Sequence, residues 1–315
     1  MRRRMFQLLL ASLSGPLSAA VAAPIAAPVI ATADTSRLRQ HLIALTSTPE
    51  PRNYQHLPSL NLAASYIEQQ LKALGAQPTR QPYEVQGATY YNVVGRFGPA
   101  TGPRLIIGAH YDVCGEQPGA DDNGTGVAAL LELARLLGQQ PALPYGIELV
   151  AYTLEEPPFF RTPQMGSYVH ARALHEAGVP IRGMVALEML GYYDDRRGSQ
   201  EYPFGPLEWI YGSRGNYVTV AQKFGNGRFG RQFARRYKGL ATLPVRRFKA
   251  PAWLPGIDFS DHLNYWQFGY PAVLLTDTAF YRNKHYHQPT DTLARLDMRR
   301  LALAVDALLA TLLRG

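Results

Sequence analysis

Leu105 to Ala109 is a short, wholly apolar run, the pattern of a strand buried on both faces, and His110, Tyr111 and Asp112 follow it at once. Two more runs end the same way. Ile147 to Thr153 leads into Glu155-Glu156, and Val185 to Leu187 leads into Glu188. Open α/β sheets gather their ligands just beyond the carboxyl ends of their strands, so polar residues in these places constrain the fold and the site together.

Helical patterns alternate with these runs. Ser36 to Leu45 and Leu57 to Leu74 have helical spacing; the second carries Leu60, Ala63, Ala64, Ile67, Leu71 and Leu74 on one stripe, with Gly75 as its stop. A helix is expected from Asn123 to Gly138 with Val127, Leu130, Leu131, Ala134 and Leu137 facing inward. Others are expected near Ser167 to Ala177, Gly227 to Tyr237 and Leu301 to Leu313. Arg80 to Val85, Asn92 to Phe97, Tyr217 to Ala221 and Ala272 to Leu275 complete the strands. This alternation predicts a single α/β domain: a mixed, mostly parallel sheet with helices on both faces. A chain of 315 residues with 46% hydrophobic residues and a mean hydropathy of -0.17 can bury such a core without a second domain.

The first residues differ from the rest. Arg2, Arg3 and Arg4 precede an apolar stretch from Phe6 to Val21, and Ala20-Val21-Ala22 offers a small-residue cleavage pattern. Residues 1–22 read as a signal peptide and 23–35 as a flexible Ala/Pro-rich tail, leaving 36–315 as the folded domain. Gly15 and Pro16 interrupt the run, which argues against an uncleaved anchor. The expectation is export, to the periplasm or the medium, without stable membrane association after cleavage. Removing three arginines takes the formal charge from +8 to +5. No basic block with interleaved aromatics appears beyond Arg246-Arg247 and Arg299-Arg300, so nucleic acid is not an expected partner. The only cysteine, Cys114, excludes an internal disulfide; it reads as a small buried hydrophobe, with approach to a metal as the alternative.

Each polar group has a plain structural reading alone. A Glu-Glu pair suits a helix start, and Gly-Ala-Asp121-Asp122-Asn-Gly suits a turn with an N-cap. Together, histidines and carboxylates at converging strand ends suit a hydrolytic pair of zinc ions. Two divalent ions about 3.5–4 Å apart repel, so a carboxylate must lie between them. A further free carboxylate must take a proton from water.

The segments Gly108-Ala-His-Tyr-Asp112, Gly119-Ala-Asp-Asp-Asn-Gly-Thr-Gly126, Glu155-Glu156, Leu187-Glu-Met189 and Tyr286-His-Gln-Pro-Thr-Asp-Thr292 resemble, in order, those of the zinc aminopeptidases and carboxypeptidases of peptidase family M28. The resemblance runs from about Asn92 to the C-terminal helix and implies a zinc exopeptidase-like fold, two zinc ions (or other divalent metals) and a peptide substrate. It implies that Asp121 bridges both ions, that His110 and Glu188 complete one, and that Glu156 and His287 complete the other. Glu155 would be the general base. Asp112 would orient the His110 ring from behind, as metal-bound histidines require. A cis peptide is implied after the bridging aspartate, at Asp121–Asp122.

Glu188 stands where many members carry Asp. An insert, Pro157 to Met165, precedes Gly166-Ser167 and reads as a lid or pocket wall, with Phe159, Phe160 and Met165 as candidate substrate contacts; packing beneath their own loop is the alternative. Arg282-Asn283 is a candidate for a substrate carbonyl or carboxylate, with an exposed loop as the alternative. Asp122 is a candidate for a supporting role behind the ligands and Asp261 for one beside the cleft, with a structural cap as its alternative; Asp291 suits a turn cap. His285 competes with His287, and only the resemblance selects His287. The leading expectation is an exported two-zinc aminopeptidase. Glutaminyl cyclisation on a single zinc, carboxypeptidase action and a catalytically silent peptide-binding domain are the alternatives.

Overall fold

A computed structural model describes residues 32–314. Residues 1–31, and with them the expected signal peptide and most of the tail, lie outside the described residues.

The apolar runs form the middle of an eight-stranded sheet. In chain order its strands are β1 (Thr79–Val85), β2 (Ala88–Phe97), β3 (Arg104–His110), β4 (Ile147–Tyr152), β5 (Ile181–Glu188), β6 (Val218–Lys223), β7 (Val245–Ala250) and β8 (Ala272–Thr276). Their spatial order is β1-β2-β4-β3-β5-β8-β6-β7. The central four, β4-β3-β5-β8, are parallel, so their carboxyl ends open on one edge of the sheet. β1, β2 and β6 join antiparallel contacts outside them, while β7 runs parallel to β6.

Helices cover both faces. On one side α1 (Thr35–Thr46), α2 (Leu57–Ala73), α3 (Gly126–Gly138), α6 (Gly227–Leu240) and α8 (Met298–Leu313) pack into a core with the inward residues of the strands. On the other, α4 (Gly166–Glu176) and α7 (His262–Gln267) supply Ala171, Leu174, Tyr265 and Trp266 to a second cluster against Ile106, Val150 and Ala186. α5 (Pro206–Tyr211) has no buried residue. Five residues of the expected α2 stripe, Leu60, Ala63, Ala64, Ile67 and Leu71, are at most 2% exposed, while the sixth, Leu74, is the half-buried C-cap. Each large apolar side chain so buried contributes about 1.5–3 kcal/mol.

Three features depart from expectation. β7 (Val-Arg-Arg-Phe-Lys-Ala) carries alternating cations and was not expected as a strand; it lies at the sheet edge, where charged side chains discourage further strand pairing. α3 starts at Gly126 rather than Asn123, because Ala120–Thr125 forms a tight π-type turn with non-helical Asp122 and Asn123. Thr32 to Asp34, at the end of the expected tail, are tied down: Ala33 N–H donates to Asp306, Asp34 N–H to Glu132, and Arg135 donates to the Thr32 carbonyl. No helix among the described residues is long and apolar enough to cross a membrane.

Gly108 on β3 leaves room for the ring of Tyr152, which a Cβ there would overlap. That ring cannot easily retreat. Its hydroxyl is 2.7 Å from that of Tyr265, which in turn meets His170 Nδ1 at 2.7 Å, and all three residues are buried. Gly108→Ala is expected to destabilise the chain by about 1–3 kcal/mol, read as a lower urea midpoint at unchanged slope. A shift within about 0.5 kcal/mol contradicts this packing.

Candidate metal centre

Five segments meet at the carboxyl edge of the central strands. β3 ends in His110, β5 ends in Glu188, and the residues after β4 provide Glu155 and Glu156. The turn before α3 provides Asp122, and the segment before α8 provides His287. All but His287 are less than 7% exposed.

Asp122 lies in the middle. Its Oδ1 is 3.5 Å from His110 Nε2 and its Oδ2 is 3.1 Å from His287 Nε2. His110 Nε2 is also 3.3 Å from Glu188 Oε2 and 3.9 Å from Glu155 Oε2. His287 Nε2 is 3.2 Å from Glu156 Oε2. Two donor groups therefore share one carboxylate: His110 and Glu188 on one side, His287 and Glu156 on the other.

The shared carboxylate is not the expected one. Asp121 Oδ1 accepts from Gly191 N–H (2.9 Å) and Thr125 Oγ1 (3.1 Å), and its Oδ2 accepts from Asn283 Nδ2 (2.8 Å). Both oxygens face away from the histidines and are spent on fixing the turn. The cis peptide lies correspondingly at Asp122–Asn123 rather than Asp121–Asp122. His285 bonds Thr290 and edges Tyr192, so it is His287 that reaches the cluster, with a backbone φ of 56°.

Supporting groups surround these side chains. Asp112 accepts the backbone N–H groups of Glu155 and Glu156 at 3.2 and 3.1 Å, and its Oδ1 is 3.5 Å from His110 Nδ1. It thus holds the Glu-Glu pair as well as facing the imidazole. Asp291 accepts from the N–H groups of Asp121 and Asp122, more than the expected turn cap. Asn123 donates to the Leu187 carbonyl and accepts from Met189 N–H, joining the turn to the end of β5. Ser260 donates to Glu188 Oε2 at 2.8 Å. Asp261 is wholly buried, and neither carboxylate oxygen has a hydrogen-bond partner among the described residues. Arg52, unnoticed in the sequence, is 1% exposed and donates to the carbonyls of Tyr111, Leu45, Pro118 and Gly119, clamping the loop after β3. Ser260 and Arg52 belong to no pattern that their neighbours reveal, and Asn283, a candidate substrate contact together with Arg282, instead donates to Asp121.

The expected substrate contacts are placed otherwise. Phe159 is 3% exposed and packs edge-on against Tyr54; Met165 is fully buried beneath the insert. Phe160 packs edge-on against Phe259, with Arg161 over both rings. Arg282 is buried against Gln200, Tyr193 and Tyr217. None of the four lines the apolar cavity beside Glu188, whose walls include Tyr217, Ile257, Phe259, Leu274 and Phe280.

Burial and mutual repulsion set the charges. Burial, then the Asp122 charge, pushes Glu156 up to about 8 despite His287. Burial also lifts Glu155 and Glu188, with His110 opposing. Asp122 is held below the usual carboxylate range, because His110 and His287 outweigh its burial. Burial alone would depress His287, yet Asp122, Cys114 and Glu156 push it up to about 12. Burial pushes Asp261 up to about 7. The cluster calls for positive charge at its centre. Asp122 Oδ2, Glu156 Oε1 and His287 Nε2 are buried without a well-formed hydrogen bond, and imidazole with carboxylate is a donor set that suits zinc and similar divalent ions. On both counts the residues fit a metal pair.

The sequence model of peptidase family M28 matches residues 92–312. The uncharacterized protein YfbL of Escherichia coli strain K12 is 45% identical over 288 residues, spanning 89% of this chain and 88% of that protein. Leucine aminopeptidase 1 of Coccidioides posadasii is 25% identical over 81% of this chain, which spans only 64% of that protein. Among solved structures, a glutaminyl cyclase of Tannerella forsythia superposes with a TM-score of 0.68 at 20% identity, covering 90% of this chain and 100% of that one. At that identity the likeness speaks for the fold alone.

The two aspartates can be separated experimentally. Asp121→Asn is expected to weaken ion binding by about 10–100-fold, and Asp122→Asn by more, read as metal content per chain after gel filtration. Greater loss in Asp121→Asn would reverse the assignment.

Proposed function

The chain belongs to peptidase family M28, and from that premise we propose that it is an exported aminopeptidase that works with two divalent ions, zinc by the chemistry of its donors. The observation that carries this reading is Asp122, whose two oxygens face two separate imidazole–carboxylate groups. His110, Glu188 and Asp122 would hold one ion, and Asp122, Glu156 and His287 the other. Such a pair, when bound, polarises a carbonyl and lowers the pKa of water.

The chain's own residues supply the rest. Glu155 lies 3.9 Å from His110 Nε2, and its carboxylate accepts no hydrogen bond from the described residues. It is the group free to take a proton from the attacking water and return it to the departing amine nitrogen. Its raised proton affinity suits both transfers. Asp112 fixes the backbone of Glu155 and Glu156 together, so base and ligand keep their spacing. The apolar cavity beside Glu188 would receive the first side chain of a peptide, while the free amine meets the carboxylates at its mouth. Support for an aminopeptidase over a cyclase comes from this two-sided donor set and from the leucine aminopeptidase among the sequence relatives. Export rests on Arg2 to Ala22 alone.

Glu155→Gln is expected to retain its ions by elemental analysis while kcat on aminoacyl-anilides falls by about 10²–10⁴-fold. N-blocked anilides should not be cleaved by the native chain. Retained turnover in Glu155→Gln removes the base assignment. Ammonia release from N-terminal glutamine peptides, without hydrolysis of the anilides, would replace peptidase by cyclase.

A further inference from the structure

We propose that Cys114 is a metal ligand, its sulfur joining Glu156 and His287 on the ion that those residues share with Asp122. The inference rests on reading the cluster as a metal centre and adds a donor outside the expected set. The Cys114 Sγ, a carboxylate oxygen of Glu156 and a ring nitrogen of His287 all lie within 4.8 Å of one another. One ion with bonds of about 2.0–2.3 Å gathers three such atoms with small side-chain adjustments. Glu156 is 4% exposed, and its Oε1 has no hydrogen-bond partner among the described residues; His287 Nε2 meets the other Glu156 oxygen at 3.2 Å. An unpartnered carboxylate oxygen thus belongs to one of the two residues that the sulfur approaches.

The loop that carries the thiol is held on both sides. Val113 N–H donates to the Arg52 carbonyl at 3.2 Å, and Asn53 Nδ2 donates to the Gly115 carbonyl at 2.7 Å. Arg52 and Asn53 are themselves 1% exposed. Cys114 is half-buried and belongs to neither apolar cluster, so it does not serve as the small core hydrophobe that a lone cysteine usually is.

On binding, a sulfur–metal bond forms and the thiol proton passes to solvent, so the ion gains an anionic sulfur donor. Thiolate favours zinc, cobalt and cadmium over magnesium or manganese. It also donates more charge than a carboxylate, making this ion the weaker electrophile of the pair. The two ions are then chemically distinct, although the bridging carboxylate is shared.

The test uses the full chain stripped by chelator and loaded with Co²⁺. The expected spectrum has a near-ultraviolet thiolate-to-cobalt charge-transfer band, lost in Cys114→Ser at equal cobalt content. A second measurement needs no variant: loading the native chain with Zn²⁺ should slow modification of its one cysteine by a thiol reagent about tenfold or more. Two bound ions with no charge-transfer band and unchanged thiol reactivity overturn the inference and leave the metal pair intact. A chain that takes up no ion overturns both.

Discussion

Repulsion among buried carboxylates governs this molecule. Asp112, Asp122, Glu155, Glu156, Glu188 and Asp261 are each at most 6% exposed and converge on one cleft. Anions placed close together away from water must be protonated, hydrogen-bonded or faced by cations, or the fold cannot hold them. Each device is present. Asp112 is satisfied by two backbone N–H groups, Asp122 lies between two imidazoles, and Glu188 takes the Ser260 hydroxyl. Glu155, Glu156 and Asp261 remain, and their proton affinity rises accordingly. Divalent cations would place positive charge where internal bonding runs out.

The parallel centre of the sheet makes the convergence possible. β4, β3, β5 and β8 satisfy their backbones against each other, so their ends can carry polar side chains with the turns beyond free to be shaped. Those turns are held by long-range side-chain contacts. Asp291 and Asn283 reach back to Asp121, Asn123 crosses to the end of β5, and Arg52 clamps the loop after β3. Such bonds consume polar side chains of the same types as the ligands.

That consumption explains what was legible in the sequence. The apolar runs announced the central strands, and their polar ends announced His110, Glu155, Glu156 and Glu188, because both signals are local. Asp121 and Asp122 were not distinguishable locally: the choice depends on Gly191 and Asn283, 70 and 162 residues from Asp121. Arg52 binds only carbonyl oxygens, which every residue offers, so nothing in the sequence announces its partners. The aromatics of the Pro157 to Met165 insert read equally well as lid or core. Tyr54 and the surrounding core decided for burial in the case of Phe159.

Glu188 ties the cluster to the cavity. Where a shorter aspartate would stop, its carboxylate extends to 3.3 Å from His110 and 2.8 Å from Ser260, and the residue also lines the apolar wall. One side chain therefore faces both the charged centre and the space for an apolar group. A ligand with a cationic amine next to an apolar side chain matches that juxtaposition, since separating the two groups would leave either the charge or the hydrophobic surface unpartnered. The amino end of a peptide carries them on a single carbon, one bond from the carbonyl that Glu155 would serve on the proposed reading. On the proposed aminopeptidase reading, specificity for a chain end would follow from where Glu188 stands, between the charged cluster and the apolar cavity.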